Sequence, residues 1–274
     1  MKRLAIAVAM MAVTALIAGS ALAQTVSFKD PVGDDDGPGK YTYPTDAVYK
    51  RGSFDLTSFQ LKKNGAKTDI SVSVNANLED PWSMGGGFAV QMVFVFIDKD
   101  HKEGSGFTSV PPGLNFQFAP ADAWEKCVIL SPQPVARVKT EADTKAGAMK
   151  SGIVVPSRTR GAGRTITATV DSADLGDGDP TTWRYQVVMQ SNEGFPAGTD
   201  LLTRKVNEYE GQHRFGGGND GDCDPHVMDL LAGDAGGDKK EIELQHQMLS
   251  SYECNADGTA KKLATVTMVE PKKK

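Results

Sequence analysis

Apolar and polar residues alternate with a period of two over most of this chain. Residues 53–62 place Phe54, Leu56, Phe59 and Leu61 among polar neighbours, and 69–77 alternate through Ile70, Val72 and Val74. Such alternation predicts half-buried strands. Residues 88–97 form a denser apolar run, which predicts a strand buried on both faces. Segments 126–130, 135–138, 153–155, 165–170, 183–189 and 264–269 predict further strands. Turn residues punctuate them at 64–65, 104–106, 161–163 and 177–180. One stretch, 241–252, carries Ile242, Gln245, Met248, Leu249 and Tyr252 at helical spacing, and 172–175 fits a single helical turn. Many short strands with one short C-terminal helix predict an all-β fold, a β-sandwich.

Two segments break the alternation. DPVGDDDGPGKYTYPTD occupies 30–46, and RFGGGNDGDCDPHVMDLLA occupies 214–232. Both are dense in Gly, Asp and Pro, which gives sharp turns. The second contains Val227, Met228, Leu230 and Leu231, which would pin it to a core, so 216–236 is expected as an ordered loop of a single domain.

The chain opens on Lys2 and Arg3, an apolar stretch over 4–18, and Ala21-Leu22-Ala23. That layout predicts a secretory leader at 1–23, cleaved before Gln24. The rival reading is a membrane anchor, but an apolar stretch of about 15 residues falls short of the ~20 needed to span a bilayer. The expectation is a secreted or periplasmic protein with no membrane insertion after cleavage, its domain running over 24–274. The formal charge of −5 argues against nucleic acid, whose phosphates need a basic footprint. Of three cysteines, Cys223 and Cys254 both lie in the C-terminal part and are the favoured disulfide, since an exported compartment permits one. Cys127 stands in an apolar run and reads as a buried strand residue. No Cys-x-x-Cys-His or zinc spacing occurs.

The ordered set of segments resembles the glucodextranase C-terminal domain family. It comprises Asp30-Pro31, Gly33-Asp34-Asp35, Gly37-Pro38-Gly39, Tyr41-x-Tyr43-Pro44, Phe54-Asp55-Leu56, LEDPW ending at Trp82, FVFID ending at Asp98, and Trp124-Glu125. It closes with Phe215-Gly216-Gly217-Gly218, Asp224-Pro225, VMDLL at 227–231 and QMLSSY at 247–252. Where Asn is expected after Asp224-Pro225, this chain has His226. The resemblance covers nearly all of 25–269. It implies a DOMON-like sandwich related to type-9 carbohydrate-binding modules, binding an α-glucan or related polysaccharide, with glycan-degrading enzymes as partners and no catalysis of its own. It also implies a structural calcium.

The acidic turns fit that ion. Calcium takes six to eight oxygens in flexible geometry. Asp34, Asp35 and Asp36 could supply some, and Asp98 or the trio Asp220, Asp222 and Asp224 the rest. The competing reading is that these are turn-capping residues without metal. For sugar, an aromatic face stacks on a pyranose ring while polar neighbours fix its hydroxyls. Tyr41, Tyr43, Trp82, Trp124, Trp183 and Phe195 are the candidates, with Trp82 on a Gly-rich loop, Trp183 at the start of an alternating strand and fitting the core, and Trp124 also fitting the core; Tyr41, Tyr43, Trp82 and Trp124 form the expected ligand-binding set. A haem b site of DOMON type, from His101, His213, His226 or His246 with a methionine, is the lesser alternative, since no pairing is legible. A structural envelope protein binding other proteins is a third. Glu125, Glu193 and the Asp clusters could pair as glycosidase carboxylates only if about 5–10 Å apart in one cleft, which nothing in the sequence provides. No P-loop or Gly-x-Ser-x-Gly occurs.

Overall fold

The computed structural model describes residues 23–272. The leader prediction therefore falls almost wholly outside the described residues. In chain order the strands are β1 (Gln24–Lys29), β2 (Leu56–Asn64), β3 (Lys67–Val74), β4 (Gln91–Asp98), β5 (Phe116–Phe118), β6 (Lys126–Leu130), β7 (Ile153–Val154), β8 (Thr159–Ala162), β9 (Thr165–Asp171), β10 (Arg184–Ser191), β11 (Asp229–Leu230), β12 (Glu253–Cys254), β13 (Ala260–Lys262) and β14 (Ala264–Val266). The α-helices are α1 (Val135–Lys145), α2 (Ser172–Leu175) and α3 (Lys240–Leu249).

Two five-stranded sheets face each other, in the orders β1-β2-β3-β9-β8 and β11-β10-β4-β6-β7. The first is antiparallel throughout; in the second only β6 and β7 run parallel. Period-two alternation builds the first sheet. Leu61, Ile70, Val72 and Ile166 point inward, while Ser27, Gln60 and Thr167 face water. The β2–β3 hairpin turns on Gly65 at φ +57°, a conformation glycine adopts without strain, and Asn64 pairs with Lys67 across it.

The second sheet is buried on both faces. On β4, Val93, Val95 and Ile97 join the core between the sheets. Met92, Phe94 and Phe96 point the other way, into a second apolar cluster. Phe116 and Phe118 of β5, Val138 and Ala142 of α1, Leu249 of α3 and Val266 of β14 cover that cluster. This third layer explains the dense apolar run at 88–97, interrupted only by Gln91.

One expected strand is a helix. Val135 to Val138 reads as alternation in isolation, but Pro134 caps the N-terminus and the chain continues through the helix formers up to Lys145. Only Val138 and Ala142 of α1 are buried, at i,i+4 spacing, so the apolar signal is too thin to mark the period. The helix expected at 241–252 is present as α3, and the turn at 172–175 as α2.

A third cluster closes one end of the sandwich and joins the two Gly-Asp-rich segments. It holds Tyr41, Tyr43, Phe54, Phe215 and Met228. Thr42 and Gly216 exchange backbone hydrogen bonds of 3.0 and 2.9 Å, and the Gly37 amide donates to the Met228 carbonyl at 2.8 Å. Gly37 sits at φ +61°, where an added Cβ would meet the Tyr41 ring at 2.3 Å. Cys223 and Cys254 form a disulfide that anchors the second segment to β12 across a sequence separation of 31. A loop of that length constrains the unfolded chain, so the double variant Cys223→Ser/Cys254→Ser should lower stability by about 2–4 kcal/mol. Urea unfolding followed by tryptophan fluorescence checks this; an unchanged midpoint would contradict it.

Candidate functional site

Four carboxylates converge where the two segments meet. Asp30 follows β1, Asp34 stands in the next turn, Asp55 precedes β2 and Asp229 opens β11. All four are buried. One oxygen each from Asp30, Asp34 and Asp229 lies within 4.8 Å of the others. Some of their oxygens are satisfied. Asp229 Oδ2 accepts from the Leu56 amide at 2.6 Å. Asp55 Oδ2 accepts from the Gly33 amide at 3.0 Å and from Asn75 Nδ2 at 3.1 Å. Both oxygens of Asp30, and Oδ1 of Asp34, Asp55 and Asp229, are buried without a hydrogen-bond partner. Among the described residues, no Lys, Arg or His forms an ion pair with any of the four.

Such groups hold protons tightly. Burial first, then the Asp34 charge, pushes Asp30 well above the usual carboxylate range. Burial, then Asp30, does the same to Asp229. Asp34 is raised to about 7 by burial and the Asp55 charge, and Asp55 to about 6 by burial and the Asp35 charge. The cause is common to all: charge removed from water with like charge beside it.

Helix α3 fixes the geometry. Gln245 Oε1 accepts from the Leu230 amide at 2.8 Å, and its Nε2 donates to the carbonyls of Asp34 and Gly37. One side chain thus bridges both segments. Glu241, one turn earlier, accepts from the amides of Gly236, Gly237 and Asp238 and is fully engaged.

The other acids expected as ligands stand elsewhere, each with partners. Asp35 accepts from the Tyr43 hydroxyl, and Asp36 contacts His246 Nε2 at 3.0 Å. Asp98 pairs with Arg184 and accepts from the amides of Asp100 and His101. Asp220 accepts from the Glu208 amide at 2.9 Å. Asp222 pairs with Lys205; partial burial raises its carboxyl, but hydrogen bonds from His226 and Lys205 outweigh that and hold it at about 2. Asp224 accepts from the Asn219 amide at 2.7 Å and the Tyr41 hydroxyl at 2.9 Å. Of the expected set, only Asp34 belongs to the unpartnered group.

The expected aromatic platform is largely interior. Tyr41, Tyr43 and Trp124 are buried, and Trp124 packs on Phe96 and Phe107 with its Nε1 donating to Ser109 O. None has a ring face open to a sugar. Trp82 is half-buried, edge-on to Tyr49 and His213, with the Arg204 guanidinium 5.8 Å from its ring centre. Arg204 in turn holds Glu193 at 3.1 Å.

Glu193 opens onto a cleft of about 360 Å³, lined also by Asp200, Lys205, Asn207, Arg214 and Asp220. Asp200, Lys205 and Asp222 are shared with a neighbouring cleft that reaches Asn115, Gln117 and His226. Two aromatics rise from the same loops: Phe195, between Glu193 and Asp200, is 93% exposed, and Tyr209, two residues past Asn207, is 73% exposed. Phe195 is among the aromatic candidates of the sequence, whereas Tyr209 is not; both stand in polar loops without a periodic signal.

The model of the C-terminal binding module, SLH-like, of glucodextranase matches residues 25–269. The chain belongs to this family. No curated protein matches it. The family is a binding module and not a catalytic domain, and its match covers nearly the whole chain. Among the described residues, no helix is long and apolar enough to cross a membrane.

In this binding module the Gln245 bridge is testable apart from any ligand. Gln245→Ala strands the Leu230 amide and the Asp34 carbonyl, and should cost about 1–3 kcal/mol. Gln247→Ala, on the exposed face of α3, should stay within about 0.5 kcal/mol. Equal effects of the two in urea unfolding would show that the bridge does not hold the segments.

Proposed function

We propose that this chain is an exported, non-catalytic module that binds an α-glucan or related neutral polysaccharide in the cleft over Glu193, Asp200 and Arg214. The observation that carries this reading is the pair Phe195 and Tyr209. Both stand exposed on loops that also supply the cleft, Phe195 two residues after Glu193 and Tyr209 two residues after Asn207, and loops carry binding residues disproportionately. Their faces suit the C–H faces of pyranose rings, while Glu193, Asn207, Arg214 and Asp220 offer donors and acceptors to hydroxyls. The family supports binding in general. Calcium enters as a structural ion away from the sugar, and a glycan-degrading enzyme as the natural partner of a module without its own active site.

Affinity electrophoresis in gels cast with glycogen, pullulan, starch or dextran tests this reading. The protein should be retarded by at least one glucan. Phe195→Ala and Tyr209→Ala should each weaken retardation about tenfold or more, equivalent to ~1.4 kcal/mol. Leu244→Ala, an exposed apolar residue on α3, should leave it unchanged. Absence of retardation in every gel, or full retardation of both aromatic variants, would overturn the assignment.

A further inference from the structure

We infer, on the saccharide reading above, that the cleft over Glu193 and its neighbour over Asn115 are one groove, which takes several consecutive sugar residues and reads a vicinal diol at its waist through Lys205 and Asp222. This extends that reading to chain length and to the half of the site beyond Lys205.

Size favours a single groove. The two clefts measure about 360 and 250 Å³. Ligand sites commonly run from about 300 to 1,000 Å³, so the second cleft alone falls short of that range and the first barely enters it. Asp200, Lys205 and Asp222 belong to the walls of both. Between the clefts these residues form a saddle. The side chains of Lys205 and Asp222 are 27% and 35% exposed and make its crest, while Asp200 and His226 are buried beneath. A ligand that fills both clefts therefore crosses the ion pair.

The crest offers a donor beside an acceptor. A lysine ammonium has three N–H donors. Lys205 gives one to Asp222 Oδ2 and stands 4.0 Å from Asp200 Oδ2, beyond hydrogen-bond reach, so donors remain for a ligand. A carboxylate has about four acceptor sites. At Asp222 one meets Lys205 and another faces His226 Nε2 at 3.6 Å, which leaves acceptor capacity toward solvent. Neighbouring pyranose hydroxyls each donate and accept, so an ammonium and a carboxylate side by side can hold two of them at once.

The waist is set before any sugar arrives. Asn115 Nδ2 donates to the carbonyls of Asp222 and Asp224 at 2.6 and 2.5 Å. Cys223, next to Asp222, is tied to Cys254, and Gly221 lies so close to Gly258 that an added Cβ would meet it at 2.4 Å. Such pre-organisation lowers the ordering cost of binding. Apolar surface continues on both sides of the waist. Phe195 and Tyr209 stand on the loops of the Glu193 cleft, and Val110, Pro112 and Leu263 line the other. The C–H faces of successive sugars fit these surfaces, with Arg214 on one side and Gln117 on the other to reach hydroxyls.

Isothermal titration with maltooligosaccharides and isomaltooligosaccharides, from the disaccharide to the heptasaccharide, tests the groove. In at least one series affinity should rise about tenfold or more from disaccharide to hexasaccharide and then level off, as added sugars cross the saddle. Gln117→Ala should weaken the heptasaccharide about fivefold, the worth of one hydrogen bond, and spare the disaccharide, which stays on the side of the exposed aromatics. Lys205→Met should weaken the heptasaccharide about tenfold or more, since it removes a charged donor. If that variant fails to fold, Gln117→Ala carries the test, because a merely structural Gln117 would weaken every length alike. Equal affinity for the disaccharide and the heptasaccharide, or a Gln117→Ala effect that is absent or the same at every length, overturns the single groove and leaves the saccharide reading standing. Retardation in a glucan gel without binding of any oligosaccharide also overturns the groove alone. No retardation in any gel together with no heat from any oligosaccharide overturns both.

Discussion

Everything at one end of this sandwich depends on how four buried carboxylates are compensated. Asp30, Asp34, Asp55 and Asp229 sit at the junction of β1, β2 and β11, the place where the two halves of the chain must register. Asp55 and Asp229 each accept a backbone amide, from Gly33 and Leu56, whereas both oxygens of Asp30 are without a partner. Ionised, these carboxylates are unfavourable there unless something positive binds among them; otherwise burial and their mutual charge favour the protonated form. The constraint is local in space and global in the chain: it fixes the 30–37 turn, through that turn the Tyr41 and Tyr43 cluster, and through Tyr41 the Asp224 end of the long second segment.

From that junction the fold works outward. The first sheet shows one polar face to water, as an antiparallel sheet can. The second sheet cannot, because its outer face carries Met92, Phe94 and Phe96 and must be roofed by α1, α3, β5 and β14. The cleft lies between the 193–205 and 206–222 loops. The Arg204 guanidinium, tied to Tyr49, Glu193 and the Trp82 ring, holds one wall of it. A pre-formed cleft suits a saccharide, since little ordering remains to oppose binding.

The sheets were legible because alternation records burial directly. Ile70, Val72 and Val74 state the inward face of β3, and the dense apolar 88–97 run states a strand covered twice. Val135 to Val138 misled because four residues contain both periods, and the exposed Lys and Glu that make α1 a helix carry no apolar signal. The strands β1, β5, β8, β12 and β13 were too short or too polar to stand out. At the site, sequence density pointed to the Asp34–Asp36 turn, while chemistry depends on which acids lose water. Asp229 was hidden inside the apolar VMDLL, and there its position between buried Met228 and Leu230 was the available signal. Asp35 and Asp36 lie beside Asp34 in sequence but turn to Tyr43 and His246. The exposed aromatics could not be told from buried ones, because Tyr41 and Tyr209 both stand in Gly-rich polar surroundings and differ only in what the fold lays over them.

The most direct measurement is a crystal structure of the protein grown with calcium, with anomalous data collected at long wavelength. The account predicts one anomalous peak bounded by carboxylate oxygens of Asp30, Asp34 and Asp229, at calcium–oxygen distances of about 2.3–2.6 Å. A site without anomalous density, in which Asp30 and Asp229 instead share a proton across a short oxygen–oxygen contact, would contradict it.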